Sequence, residues 1–242
     1  MMNISTEKTY GIFSTPANKK IISKIKNSGA GLIEFGYEEF EKTDLNDDTE
    51  IFDQNNLADW FVFTNIYAVD FFLEELQNRN IELFHLDEVR ICSFGEAVAD
   101  RLRFVQLHSD IIAQKIDENK ISDSILDYIN NAADEKIIIV KTQTENHLIS
   151  KLLAESVNDV KELKVAKIKD SKSSEKIKHL TLLKGGAIDE FIFGSVEDVT
   201  QFIIQFTKEI FYENIFDTVW GTDEITLKTL DEFGMKGFYL QK

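Results

Sequence analysis

Five places in this 242-residue chain put small hydroxyl, amide or cationic side chains where an apolar run gives way to a helix-period pattern. They are Ser14–Thr15 in FSTP, Thr64–Asn65 in FTNI, Lys141–Thr142 after KIIIV, Gly194–Ser195 in FGSV, and Gly221 to Thr226 in WGTDEIT. A strand that runs through a short turn into a helix leaves backbone N–H groups free at the helix start. The helix dipole adds partial positive charge at the same point. Such turns bind anions, so the guest expected from the residues is a carboxylate or phosphate compound. Ser and Thr also cap helices, a role compatible with ligand contact. For Lys141 the competing assignment is a solvated lysine at a strand end.

Other chemistries lack their residues. There is no GxGxxG and no GxxxxGK[ST], so dinucleotide and P-loop readings have no support. No CxxC or HExxH occurs, and His85, His108, His147 and His179 are scattered, so no metal site is expected. No Ser/His/Asp set stands out. Any reaction here is expected to use no cofactor.

The elements that carry these turns are duplicated. FVFTNIYAVDFFLEEL (61–76) aligns without a gap on FIFGSVEDVTQFIIQF (191–206). A weaker pair follows in the same order, ICSFGEAVADRLR (91–103) and TVWGTDEITLKTLDEFG (218–234), each passing from a strand through a glycine into a helix. Two matches in one order indicate duplication into two similar lobes. Further strands are expected at Thr9–Phe13, in GLIEFGYEEFE, in KIIIV and in LKVAKI (163–168). Thr15-Pro16 opens a helix over ANKKIISKIKNSG. Residues 44–56 and DSKSSEK read as exposed connections, Ser122 or Ser124 as a cap on ILDYINNAA, and NHLISKLLAESV as a helix. Strands alternating with helices give an α/β protein with mainly parallel sheets, flavodoxin- or Rossmann-like, whose ligands bind beyond the carboxyl ends of the strands. The expectation is a two-lobed cleft lined by amides, hydroxyls and one lysine.

Composition sets outer bounds. Hydrophobic residues make up 43%, with 19 Phe and a single Pro, which is ample for two cores and argues against disorder. No apolar run is long enough to span a bilayer, and no signal-peptide pattern opens the chain. Cys92 is the only cysteine, which fits a reducing, cytoplasmic setting. The net charge of −16 disfavours nucleic acid and anionic membranes as partners. Eight lysines between 161 and 184 run against that trend. They read as a solvated surface or as a basic lip for an anionic ligand.

The order of motifs resembles the uroporphyrinogen-III synthase family. FSTP (13–16), FTNIYAV (63–69), FGEAVADRL (94–102), FGSVEDV (193–199) and WGTDEITLKTLDEFG (220–234) stand in the family's order and spacing over essentially the whole chain. The resemblance implies two α/β lobes joined by a two-stranded connection. Residues 1–38 with 172–242 would form one lobe, 44–166 the other, and 39–43 with 167–171 the connectors. It also implies cofactor-free conversion of hydroxymethylbilane, a linear tetrapyrrole with eight carboxylates, to uroporphyrinogen III. Water is lost, ring D is inverted through a spiro intermediate and the macrocycle closes. That makes the chain a hydro-lyase of haem biosynthesis, and a monomer.

By the same resemblance, Thr64, Ser195 and Thr226 fall on substrate-contact positions, and Lys141 with Thr142 on a basic-then-small turn. Ser14 and Asn65 join them as turn residues. Ala166 or Lys167 stands where the family carries a connector tyrosine suspected as proton donor, which makes Lys167 the candidate donor here. The alternatives are a non-catalytic bilobed protein that binds an anionic small molecule, and a tandem flavodoxin-like interaction module.

Overall fold

The computed structural model describes residues 4–53, 58–113, 125–128, 134–143, 148–169, 173–206 and 216–240. The expected Ser122 or Ser124 cap, most of ILDYINNAA and the start of NHLISKLLAESV lie outside them. The chain divides into two compact units, Met1–Glu39 with Lys169–Lys242, and Phe40–Ile168.

The first unit is built on a five-stranded sheet in the order β11-β10-β9-β1-β2, parallel throughout. Its strands are β1 (Thr9–Phe13), β2 (Gly31–Phe35), β9 (Glu190–Phe193), β10 (Thr218–Gly221) and β11 (Gly237–Tyr239). Alternation along the strands sorts the core. Tyr10, Ile12 and Ile192 pack with Ile22 and Ile25 of α1 (Lys19–Ser28) on one face. Phe13, Phe35, Phe191 and Phe193 pack on the other, with Phe202 and Phe206 of α6 (Val196–Phe206) and Leu230 of α7 (Glu224–Glu232). Gly11 lies under this aromatic layer: a Cβ there would stand 2.5 Å from the Phe191 ring. Helix α5 (Ser173–Lys184) begins within the stretch expected to be an exposed connection.

The second unit has a six-stranded sheet in the order β3-β8-β7-β4-β5-β6. Its strands are β3 (Phe40–Lys42), β4 (Trp60–Phe63), β5 (Arg90–Phe94), β6 (Ile111–Ala113), β7 (Lys136–Thr142) and β8 (Asp159–Ile168). All neighbours are parallel except β3 and β8, which pair antiparallel from Phe40 against Ile168 to Lys42 against Ala166. Trp60, Val62, Cys92, Ile137 and Ile139 face one core. On the other side Phe61 and Phe63 meet Phe72 of α2 (Ile66–Asn78). Helices α3 (Gly95–Phe104) and α4 (Leu148–Leu153) complete the described elements of this unit.

The duplicated stretch folds alike in both copies. Asn65 caps α2, its side-chain oxygen accepting from Ala68 N at 2.8 Å. At the aligned position, Ser195 Oγ accepts from Asp198 N at 3.3 Å. Residues 44–56, expected to be irregular, include a 3₁₀ segment, Asn46–Phe52, whose Ile51 and Phe52 are buried. Among the described residues no helix is long and apolar enough to cross a membrane.

Candidate functional site

In each unit the residues of interest collect where parallel strands end. In the first unit β1, β2, β9 and β10 finish at Phe13, Phe35, Phe193 and Gly221, and the following residues form one polar rim. Ser14 N donates to Phe35 O at 2.8 Å, and its hydroxyl donates to Glu34 Oε2 at 2.9 Å. Thr222 Oγ1 donates to Gly194 O at 2.7 Å, tying the β10 turn to the β9 turn.

Asp198, in the first turn of α6, anchors the centre of this rim and is fully buried. Its Oδ2 accepts from Asn18 Nδ2 at 2.8 Å and from Gly194 N at 2.7 Å, and its Oδ1 accepts from the Tyr37 hydroxyl at 2.5 Å. Burial pushes the Asp198 carboxyl above the usual aspartate range, outweighing Tyr37, Asn18 and Gly194, which pull it down. Asn18 Nδ2 also donates to Phe13 O at 2.9 Å. Three side chains of α6 hold the segment after β2. Besides Asp198 on Tyr37, Gln201 bonds Glu38 N and O, and Gln205 donates to Gly36 O. Tyr37 packs edge-on against Phe13 with ring centroids 5.3 Å apart, yet remains 37% exposed. A partly exposed phenol on a buried carboxylate is the most chemically capable pair on this rim.

Thr226 differs from the hydroxyl cap expected of it. Asp223 is the cap of α7, accepting from Thr226 N at 2.8 Å. The Thr226 hydroxyl oxygen is buried and makes no hydrogen bond among the described residues.

In the second unit Thr64 and Asn65 follow β4. Thr64 N and Oγ1 each lie 3.2 Å from Val140 O, and Asn65 caps α2. Lys141 and Thr142 correct the sequence reading: they are the last two residues of β7, across an irregularity in its pairing with β8, and do not form a turn. Nor is Lys141 solvated. Its side chain is 2% exposed, and Nζ meets Glu162 Oε1 at 3.2 Å. Ser150 donates to the same Glu162 oxygen. The strand continues because β8 pairs alongside it and brings that carboxylate, a partner 21 residues away that local periodicity does not reveal. Lys167 lies on β8 with its Nζ 3.0 Å from Glu41 Oε1 of β3, both side chains about half exposed. The lysine-rich stretch is partly neutralised in the same manner, since Lys161 pairs with Glu50 and Lys169 with Glu39.

The structure thus brings Ser14, Ser195, Thr222 and, in the first turn of α7, Thr226 to one strand-end rim, and Thr64, Asn65, Lys141 and Thr142 to another. Among the described residues no three His, Cys, Asp or Glu side chains gather as a metal ion would require. The sequence reading passed over Asn18, Tyr37 and Asp198. One signal was available: in the gapless repeat Asp198 falls on Ala68, so the two copies differ in charge at one buried position of the first helical turn.

The family model described as "Uroporphyrinogen-III synthase HemD" matches residues 19–241. The chain belongs to the uroporphyrinogen-III synthase family. Its fold is similar to that of a uroporphyrinogen III synthase from the extremely thermophilic bacterium Thermus thermophilus, at TM-score 0.62 and 17% identity over 96% of this chain and 91% of that one. A second Thermus thermophilus uroporphyrinogen III synthase structure gives TM-score 0.62 at 15% identity, over 96% and 92%. None of the curated proteins matches the chain. At these identities the solved structures establish the shared fold, two α/β units with parallel-dominated sheets, and the family match carries the relationship.

Proposed function

We infer that this chain acts as the uroporphyrinogen-III synthase of haem biosynthesis, turning hydroxymethylbilane into uroporphyrinogen III. The observation that carries the reading is the family match over 19–241, nearly the whole chain. The lyase class follows from the family. Its finer form is a hydro-lyase: the hydroxymethyl carbon loses its oxygen as water, ring D is inverted through a spiro intermediate, and the ring closes.

The strand-end rims supply what such a reaction needs from a protein. A flexible chain of four pyrroles must be held so that one particular carbon attacks, and orientation of that kind removes a large part of a barrier. The eight carboxylates of the substrate suit the positive dipole ends of α2 and α6, whose caps Asn65 and Ser195 are neutral. We propose Ser14, Thr64, Asn65 and Ser195 as direct carboxylate contacts. Thr142, Thr226 and Lys141 lie deeper, with Lys141 already facing Glu162, so they back the rim while the helix N-termini supply the attraction. A local attraction of this sort is required, because the chain's net charge of −16 repels a polyanion at long range. The exposed Lys167 could hold a proton, but its ammonium already faces Glu41. The division into 1–38 with 172–242, 44–166 and two connectors, and a monomeric state, belong to the same proposal.

The test is consumption of hydroxymethylbilane, freshly generated in place, above its spontaneous rate. A loss that scales with added protein is expected. Consumption indistinguishable from the blank would contradict the reading and favour a binding protein of the same fold, which ligand-dependent melting would then reveal.

A further inference from the structure

We propose that Tyr37 is the proton donor to the departing hydroxyl, with Asp198 behind it as the group that reloads the phenol. The proposal rests on the synthase reading above, and four observations converge on it. Tyr37 stands at the carboxyl end of β2, on the rim where parallel sheets take ligands, and keeps 37% of its surface open. Its hydroxyl is not loose: it lies 2.5 Å from Asp198 Oδ1, and its ring rests edge-on against Phe13. The segment that carries it is strapped to α6 by Gln201 and Gln205, so the phenol is placed before substrate arrives. Finally, the fold does not need a carboxylate at this point. The aligned first helical turn of the other copy is built with Ala68, under the same kind of cap. The first unit thus carries a buried acid where its duplicate has a methyl group.

The step balances. The C–O bond of the hydroxymethyl group breaks with its electron pair leaving on oxygen, and the adjacent pyrrole nitrogen donates its lone pair to the carbon left behind. The Tyr37 proton passes to the departing oxygen, which leaves as water. For this the 2.5 Å hydrogen bond between Tyr37 and Asp198 Oδ1 reverses. The phenol turns its proton to the substrate, and the proton on Asp198 moves to the phenolate oxygen, leaving a carboxylate. Asn18 Nδ2 and Gly194 N already point at Oδ2 and hold that carboxylate. The ring-D carbon that forms the spiro centre carries no hydrogen. The proton is released only after that centre opens and the free α-carbon of ring D closes the macrocycle, and this proton restores Asp198. No net proton is gained or lost. The scheme requires Asp198 to carry its proton before the step, and burial shifts its carboxyl in that direction. Tyr37 is the catalytic residue in this scheme, and Asp198 and Asn18 are positioning residues.

The experiment oxidises the products, separates the uroporphyrin isomers and measures kcat and KM for isomer III with the wild type, Tyr37→Phe, Asp198→Asn and the double variant, with a melting curve for each. Tyr37→Phe is expected to lose about 10²–10⁴ in kcat, the usual worth of a general acid, with KM held within about threefold. Asp198→Asn should also lose kcat at constant KM. The double variant should be no slower than Tyr37→Phe alone, since the two act as one unit. Where Tyr37→Phe proves poorly folded by its melting curve, Asp198→Asn decides by the same split of kcat from KM. A Tyr37→Phe enzyme with near wild-type kcat, or one whose only change is in KM, overturns the proposal. So do losses that simply multiply in the double variant. A wild type that yields no isomer III above the blank overturns the synthase reading instead, so the two failures are distinct.

Discussion

Gly194→Ala is the smallest change that should unsettle the first unit. A Cβ on Gly194 would sit 1.7 Å from Asn18 Oδ1 and 2.7 Å from its Cγ. To reach an ordinary C···O separation the amide oxygen must retreat by roughly 1.5 Å. Asn18 is 1% exposed, and its Nδ2 donates both to Asp198 Oδ2 at 2.8 Å and to Phe13 O at 2.9 Å. A shift of that size breaks both. Each of the two hydrogen bonds, with Asp198 protonated, contributes about 1 kcal/mol. Alanine stiffens the unfolded chain, which offsets roughly 0.4–1 kcal/mol. The net expectation is a loss of about 1–2 kcal/mol, or roughly 2–8 °C in Tm for a chain of this length. Trp60 and Trp220 lie one in each unit, so a Trp60→Phe background lets Trp220 fluorescence report the first unit during urea unfolding. Asn18→Ala removes the clash in advance, so Gly194→Ala should add little to it. A loss below about 0.5 kcal/mol, or the same loss with and without Asn18, would refute the reasoning, because coupled neighbours must be non-additive.

Glu162→Gln should lower the stability of the second unit by about 2–4 kcal/mol in urea, since it removes the carboxylate facing the buried Lys141 ammonium. An unchanged midpoint would mean that this pair does not hold the end of β7. Cys92 is fully buried and its thiol is pushed up to about 12, so a disulfide-exchange reagent should label it only at the rate of unfolding. Rapid labelling of the native chain would place it elsewhere. The raised Asp198 carboxyl carries a sign. Its protonated form is favoured by folding, so the stabilisation is full below the unfolded aspartate value and is lost as pH rises through the folded one. The stability of the wild type relative to Asp198→Asn should therefore fall with pH above the usual aspartate range, and a rise there would reverse the assignment.

The α/β class and the duplicated strand–turn–helix were legible because both depend on local period: FVF and FIF runs followed by helix-spaced apolar residues. The cap at Ser195 was legible for the same reason, since a cap is a contact within four residues, whereas in the first copy the cap falls on Asn65 and not on the Thr64 hydroxyl. What escaped depends on contacts remote in sequence. Lys141 reads as a strand-end lysine until β8 brings Glu162 alongside it. Asp198 reads as an acidic residue in a first helical turn, a favourable place for one. It takes Asn18 from 180 residues away and Tyr37 from 161 to turn it into a buried, hydrogen-bonded acid. The lysine-rich stretch is partly neutralised in a similar way, as Lys161, Lys167 and Lys169 each meet a glutamate from a segment read separately.

The central claim is that this chain closes hydroxymethylbilane with ring D inverted. The direct measurement generates the bilane in place, oxidises the products and separates the uroporphyrin isomers at increasing protein concentration. The account predicts isomer III rising in proportion to protein while isomer I, the product of spontaneous closure, declines. Isomer I alone at every concentration would contradict it.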